Sequence, residues 1–359
     1  MVDGKTIQFS ARWHSGIEHL QETHSESTWK RIKEIAYDVI SIIIPIIGFI
    51  RLVNYFFNIF AKSNVLPSIY FPKVLYEKTI KHFDHLWSSA PLGQYYSLNP
   101  ITVETADKVN LSGHFIKHRD ADKDTPTVLI FQPNAVPSKY TAWWMWMAEG
   151  AINRGKPCNF IIWDYRSTGE SEGTVNRATD TIKDGDAMLQ FAREKLCISN
   201  DKLIVYGFSV GGIISAETLG CNPDFDGRYV SERSLESVTK LVKERLPYTG
   251  KAIAFMSKGK WELNALEACK KMNAKRLVLS HEEDSVIPYS ASIAFALKQN
   301  PFLSANDIFI ELQSPVYTEG HTTPLPYCFS NRMQRPTEEV LDFIFQPKLC
   351  SLVRQAANA

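Results

Sequence analysis

The sequence predicts an α/β protein with a mostly parallel, doubly wound sheet and an appended N-terminal helical segment. From about residue 98 onward, short runs rich in β-branched residues alternate with stretches of helical periodicity. Five of the strand candidates are continuous apolar runs, as expected for strands that are covered by helices on both faces. Alternation of this kind favours a parallel sheet with crossover helices.

The elements follow one another along the chain in a regular order. The strand candidates are ITVET and LSGHFIK, which form a hairpin-like pair, then TVLIFQ (127–132), NFIIWDY (159–165), KLIVYGF (202–208), GRYVSE (227–232), KRLVLSH (275–281) and DIFIELQ (307–313). Helical periodicity covers 177–196, the stretch after Ser209, 234–246, 262–272 and 337–345.

Composition excludes several classes of protein. A hydrophobic fraction of 44% and a charged fraction of 22% are typical of globular domains. The net charge of +1 provides no basic surface for nucleic acid, so no nucleic-acid partner is expected. The six cysteines lie far apart, and no His, Cys or carboxylate spacing indicates a metal site. We therefore expect neither a metal nor a cofactor.

The first 62 residues bear on where the protein is located in the cell. The chain starts without the basic end and apolar run of a secretory signal, which predicts synthesis in the cytoplasm and leaves export without a cleaved signal peptide open. Residues 35–62 are strongly apolar, but their longest uncharged run, Val39 to Ile50, has only 12 residues. We favour helices packed on the main domain; peripheral membrane contact and a true span are the alternatives.

The most informative motif is Gly207-Phe208-Ser209-Val210-Gly211, which matches the G-x-S-x-G nucleophile elbow. A serine on a strained turn between strand and helix needs neighbours without side chains, because otherwise the turn cannot close. A strand candidate ends at Ser209 and a helical stretch follows it, which is the context that the motif requires. A structural serine at an ordinary turn is the alternative.

A nucleophilic serine needs a base and an acid, which follow it in the chain on this type of fold. Asp284 lies in the loop after KRLVLSH and is the favoured acid; Glu232 and Glu283 are its rivals. His321 lies in a loop after the last strand candidate and is the favoured base among nine histidines. The sequence therefore predicts a triad of Ser209, His321 and Asp284.

Two amide groups are expected to form the oxyanion hole. One is the N–H of Val210, directly after the nucleophile, and the other is the N–H of Asn134 in the loop after TVLIFQ, with Ala135 as the neighbouring possibility. A plain turn at this loop is the alternative.

The segment YTAWWMWMAEGAI follows that loop and supplies a bulky cluster that includes Trp143, Trp144 and Trp146. Such a cluster could bind the acyl or lipid-like tail of a substrate. A helix that packs in the core has the same composition and is the alternative.

These residues together resemble the α/β-hydrolase superfamily over roughly residues 98–348. Four segments match in order: FQPNAV is similar to the oxyanion loop of the HGNAG type, DYRSTGESEG to DYRGxGxSxG, GFSVGG to the elbow, and EEDSVIP with EGH to the acid and base loops. The resemblance implies the same triad and the same two amide donors. The apolar N-terminal block together with FQPNA also resembles the SidB-like hydrolases of intracellular bacterial pathogens, some of which are effectors.

The chain departs from the superfamily pattern at two places. Gln132-Pro133 stands where relatives carry His-Gly, and Pro133 fixes its φ and lacks a backbone donor, so this residue supplies no amide to the oxyanion hole. Ser167 stands where the DYRGxGxSxG pattern has glycine.

The pattern along the chain predicts three parts: an N-terminal helical and apolar segment at 1–97, a hydrolase domain at 98–348 with a short cap near 233–262, and a tail at 349–359. The leading hypothesis is a serine hydrolase, of the esterase, lipase or thioesterase kind, that cleaves esters or thioesters of medium or long acyl groups, near a membrane surface through residues 35–62 and as a secreted bacterial effector. A catalytically silent scaffold for partner binding and a peptidase of the same fold are the alternatives.

Overall fold

The computed structural model describes the central part of the chain. The described residues are 83–84, 92–134, 136–139, 144–246, 248, 250–251, 260–304, 307–313, 320–330 and 335–345. The apolar stretch 35–62 and the C-terminal tail 349–359 lie outside these residues, as does nearly all of the expected segment 1–97.

The sheet has nine strands within the described residues. They are β1 (Tyr96–Glu104), β2 (Asn110–His118), β3 (Thr127–Phe131), β4 (Asn159–Trp163), β5 (Leu203–Phe208), β6 (Arg228–Glu232), β7 (Lys275–His281), β8 (Ile308–Gln313) and β9 (Phe329–Ser330). Their order across the sheet is β1-β2-β4-β3-β5-β6-β7-β8-β9. The neighbours from β4 to β8 run parallel, and the antiparallel pairs β1–β2, β2–β4 and β8–β9 lie at the two ends of the sheet. The predicted mostly parallel sheet is confirmed.

Helices cover both faces of this sheet. They are α1 (Leu92–Tyr95), α2 (Met145–Asn153), α3 (Ala178–Gln190), α4 (Val210–Gly220), α5 (Val238–Arg245), α6 (Ala265–Cys269), α7 (Ile293–Lys298), α8 (Pro301–Ser304) and α9 (Pro336–Phe345). Alternate residues of each central strand enter different core clusters, as the two-residue period of a strand requires. One cluster packs under α3 to α7 and the other under α2 and α9.

The strand order places one position of the sheet at a topological switch. β5 lies beside β3, while β4 lies on the far side of β3, so the chain winds outward in both directions from the β3–β5 pair. Ligands of open parallel sheets bind at the carboxyl ends of the strands next to such a switch. Ser209 directly follows the carboxyl end of β5.

The structure differs from the sequence prediction mainly at the ends of elements. The helix expected at 234–246 begins only at Val238, because Ser237 caps it and accepts a hydrogen bond from the Lys240 amide at 3.1 Å. The helix expected at 177–196 is α-helical to Gln190 and continues as one π-helical turn over Phe191–Lys195. Strand β9 has two residues, too few to show a period in the sequence.

Among the described residues, none of the helices is both long enough and apolar enough to cross a bilayer.

Candidate active site

Ser209 forms the turn between β5 and α4. Its backbone has φ 54 and ψ −122, a conformation that costs energy for any residue with a Cβ. Two hydrogen bonds hold it there: the Ser209 amide donates to the Glu232 carbonyl at 2.9 Å, and the Ser234 hydroxyl donates to the Ser209 carbonyl at 2.8 Å. The strained turn of a nucleophile elbow is thus present.

The glycines around Ser209 are required by close contacts. A Cβ on Gly207 would lie 2.6 Å from the Gly211 carbonyl oxygen, and a Cβ on Gly211 would lie 2.2 Å from the Phe131 carbonyl oxygen. These are backbone atoms, which cannot move aside without shifting β3 or α4. The glycines therefore let the helix start against the end of the neighbouring strand.

Two predicted partners meet the serine. His321 Nε2 lies 3.0 Å from Ser209 Oγ, and His321 Nδ1 lies 2.7 Å from Asp284 Oδ2. All three residues are largely buried. A base within hydrogen-bond reach of a hydroxyl, itself oriented by a carboxylate, is the geometry that nucleophilic catalysis by serine requires.

Backbone amides orient the Asp284 carboxylate. Oδ1 accepts from the N–H groups of Val286 at 2.8 Å and Ile287 at 2.7 Å, so Oδ2 is left to face the imidazole. The two rival acids point elsewhere: the Glu232 carboxylate pairs with Arg233, and Glu283 is exposed.

The imidazole of His321 packs against Phe208, with ring centroids 5.4 Å apart. The loop that carries it passes close to His281, because a Cβ on Gly320 would lie 2.6 Å from His281 Nδ1. His281 Nδ1 accepts a hydrogen bond from the Glu283 amide at 3.1 Å, and burial lowers the pKa of His281. His281 therefore contacts the loops of both Asp284 and His321, and the imidazole that reaches Ser209 Oγ is that of His321.

Both expected oxyanion donors lie at the same cleft as Ser209. Val210 is the first residue of α4, and the first amides of a helix have no partner within it. Asn134 and Pro133 form the facing wall. Ala135, the neighbouring possibility, lies outside the described residues. The side-chain oxygen of Asn134 is buried and has no hydrogen-bond partner among the described residues.

The buried carboxylate of Asp164 holds the loop that contains Asn134. Asp164 Oδ1 accepts from the Ser138 amide at 2.7 Å, and burial raises the pKa of Asp164 to about 6. Ser167, which stands at a glycine position of the superfamily pattern, has φ 65, the region that glycine prefers. Its hydroxyl oxygen accepts from the Val175 amide at 3.0 Å, which offsets part of that cost.

The assignment of the tryptophans to the substrate site needs correction. Trp144 is fully buried, packs in a tilted arrangement against Phe160 with ring centroids 5.9 Å apart, and donates from Nε1 to the Ser138 carbonyl at 3.3 Å. Trp146 lies in the same core cluster, under α2. Neither side chain lines the cleft, because the first turn of α2 faces the sheet; Trp143 lies outside the described residues. Trp144 and Trp146 therefore pack in the core, which is the alternative that the composition left open.

Other apolar residues line the cleft instead. It has a volume of about 250 Å³, and its walls beside the triad come from Pro133, Val136, Phe208, Leu235, Leu241 and Ile287. The composition of the sequence did not single these residues out, although Leu235 and Leu241 fall within the expected cap at 233–262. A second cavity, of about 310 Å³, lies near Arg228 and Lys275, at the amino ends of the strands and away from Ser209.

The described residues contain no group of three His, Cys, Asp or Glu side chains that could hold a metal ion.

Curated relatives match the central part of the chain. Protein bem46 of Schizosaccharomyces pombe is 27% identical over 189 residues, which are 52% of this chain and 61% of the relative. The α/β-hydrolase domain-containing protein WAV2 of Arabidopsis thaliana is 27% identical over 199 residues, which are 52% of this chain and 62% of WAV2. The chain thus spans less than two thirds of the length of either relative.

Solved structures share the fold. The Pyrococcus furiosus esterase Pf2001 matches with a TM-score of 0.53 and 16% identity over 72% of this chain and 95% of its own. An α/β hydrolase from Vibrio vulnificus matches with a TM-score of 0.52 and 15% identity over 76% of this chain and 88% of its own. At this identity the likeness bears on the fold alone, and it confirms the α/β-hydrolase fold.

A family model matches residues 125–314, a stretch that contains β3 to β8, Ser209 and Asp284. This stretch is more than half of the chain, and the protein therefore belongs to the Chlamydia CHLPS protein family (DUF818).

Proposed function

We propose that the protein is a serine hydrolase that cleaves carboxylic esters or thioesters with apolar acyl groups. The observation that carries the proposal is the continuous hydrogen-bonded chain from Ser209 Oγ through both ring nitrogens of His321 to Asp284. A scaffold that only binds a partner has no need of this geometry. The esterase named among the structural neighbours is consistent with the proposal.

Each group has a defined part in the proposed reaction. His321 Nε2 takes the proton of Ser209 Oγ as the oxygen attacks the carbonyl carbon of the substrate, and Asp284 stabilises the imidazolium that forms. The amides of Val210 and Asn134 stabilise the oxyanion. The proton then passes from His321 to the leaving alcohol or thiol, which gives an acyl-enzyme and a free alcohol or thiol. Water, deprotonated by His321, attacks the acyl-enzyme and releases the carboxylic acid and Ser209.

The walls of the cleft support an apolar acyl group. Most of the described residues that line the cleft are apolar, and no lysine or arginine is among them. A volume of about 250 Å³ holds roughly eight groups of the size of water, at about 30 Å³ each. A medium acyl chain therefore fills the cleft, and a long one extends beyond its mouth.

The finer parts of the hypothesis stay predictions. The proposal of peripheral membrane contact rests on residues 35–62, which lie outside the described residues. Most of the N-terminal block that resembles SidB-like hydrolases also lies outside them. Further proposals are synthesis in the cytoplasm, export without a cleaved signal peptide, an effector role and lipase activity. The alternatives of a silent scaffold and a peptidase predict no ester turnover and preferential amide turnover, respectively.

A series of p-nitrophenyl esters tests the proposal. We expect kcat/KM to rise from acetate through butyrate to octanoate, by up to roughly fourfold per methylene, because each buried methylene contributes about 0.8 kcal/mol. Leu241→Asn, which places an amide in the cleft wall, should reduce the advantage of octanoate over acetate.

Leu266→Asn is the matched control, since Leu266 is also partly buried against the same core cluster but does not line the cleft. It should keep the chain-length preference of the natural protein. A preference for acetate would contradict the apolar acyl site, and turnover of none of the esters would favour the scaffold.

A further inference from the structure

Arg233 is a buried arginine next to the candidate active site that the proposed mechanism does not use. It directly follows β6 and is 2% exposed. Its backbone has φ 45, an uncommon conformation for a residue with a long side chain. Its amide donates to the Leu279 carbonyl at 2.8 Å, which fixes this strained turn to β7.

The guanidinium of Arg233 binds both ends of the loop that carries His321. Nη1 donates to the Gly320 carbonyl at 2.9 Å and to the Thr323 carbonyl at 2.6 Å. These two carbonyls belong to the residue before His321 and to the second residue after it. One nitrogen atom therefore closes the four-residue loop on which the imidazole is mounted.

The same guanidinium packs against the residue that precedes the nucleophile. Its central carbon lies 4.9 Å from the centroid of the Phe208 ring, and that ring also contacts the imidazole of His321. Arginine stacks well on aromatic faces, with a gain that grows when water is excluded. Arg233 thus contacts the supports of both Ser209 and His321.

The charge of Arg233 is balanced inside the protein. Nη2 pairs with the Glu232 carboxylate, whose other oxygen accepts from the Tyr206 hydroxyl. The Arg233 and Glu232 side chains are 0% and 2% exposed, respectively. A buried ion pair contributes little net stability, and removing one partner leaves a costly unpaired charge. An apolar side chain could fill the same space, whereas hydrogen bonds to the carbonyls of Gly320 and Thr323 require a donor such as arginine.

We propose that Arg233 is a positioning residue that holds the His321 loop so that the imidazole stays within reach of Ser209 Oγ. The proposal rests on the serine hydrolase function proposed above. Lysine cannot replace the arginine, because a single ammonium cannot reach Glu232 and both loop carbonyls and stack on Phe208 at the same time.

The test compares Arg233→Lys with the natural protein in hydrolysis of p-nitrophenyl butyrate and in hydrogen exchange of the peptide that contains 320–323. We expect kcat to fall roughly 10- to 100-fold with KM nearly unchanged, because small displacements of a base are costly and Arg233 does not line the cleft. Amide exchange in the loop should become faster. Melting temperature is recorded for each variant.

Arg276→Lys is the matched control. Arg276 is also buried, pairs with Asp307 at 2.6 Å and donates to the carbonyls of Cys269 and Leu303, but it has no contact with the His321 loop. It should lose stability and keep its kcat. If Arg233→Lys does not fold, the double variant Glu232→Gln with Arg233→Met removes both charges at similar volume and is expected to show the same loss of kcat.

The outcomes are distinct. A fall in kcat and faster loop exchange in a folded Arg233 variant, absent from Arg276→Lys, support the proposal. Unchanged loop exchange or unchanged kcat in a folded Arg233 variant overturns it. If the natural protein and Arg276→Lys turn over no ester, the proposed function fails first, and the positioning role falls with it.

Discussion

Replacing Ser209 with alanine is expected to lower kcat for p-nitrophenyl butyrate by about a millionfold, to the background of the assay. The alanine leaves no nucleophile at the elbow, whereas the amides of Val210 and Asn134 remain. The fold should persist, because the two hydrogen bonds that hold the turn use the backbone of residue 209. Stopped-time assays at high enzyme concentration measure the residual kcat. A thermal melt on the same samples shows whether the variant is folded.

Ser215→Ala is the control for this loss. Ser215 lies on the same helix, is fully buried and donates its hydroxyl to the Gly212 carbonyl at 2.9 Å. It should cost about 1 kcal/mol of stability, the usual value of a buried hydrogen bond, and leave kcat within a few-fold. Turnover by Ser209→Ala at a rate near that of the natural protein would mean that another group attacks the substrate.

Replacing Asp284 with asparagine is expected to lower kcat by roughly 10⁴-fold. The amide carries no charge to stabilise the imidazolium, and its NH₂ group would face His321 Nδ1 and favour the wrong tautomer. An amide oxygen at the position of Oδ1 can still accept from Val286 and Ile287, so the loop should keep its shape. The measurement is kcat across the pH range in which the protein stays folded.

Glu283→Gln is the matched control, because it removes a carboxylate from the adjacent, exposed position. We expect it to leave kcat nearly unchanged. Near-normal turnover by Asp284→Asn would remove Asp284 from the mechanism, and a large loss in Glu283→Gln would point to the rival acid.

The sequence was most informative where one physical constraint dominated. Strands covered on both faces must be apolar throughout, and therefore β3, β4 and β5 were predicted to within two residues at each end. The elbow was predictable because contacts as short as those at Gly207 and Gly211 exclude every other residue. The meeting of Asp284 and His321 beside Ser209 was predictable because parallel strands bring their carboxyl ends to one edge.

The sequence was least informative where partners distant along the chain decide the role of a residue. The tryptophans at 144 and 146 suit a core and an acyl site equally well, and only the orientation of α2 distinguishes the two. Arg233 gave no signal, since an arginine after a strand is usually exposed; its role depends on carbonyls about 90 positions later. Leu241 also gave no signal in the sequence, because it reaches the cleft only through the placement of the helix after β6.

The proposed reaction depends on the Ser209 hydroxyl as the nucleophile that His321 activates. The most direct test is to treat the folded protein with a fluorophosphonate and to identify the modified residue by tandem mass spectrometry of its peptides. We expect one phosphonate per chain, on Ser209, with labelling lost in His321→Ala and in protein unfolded beforehand. Labelling of a different residue, or equal labelling of Ser209 in the His321 variant, would contradict it.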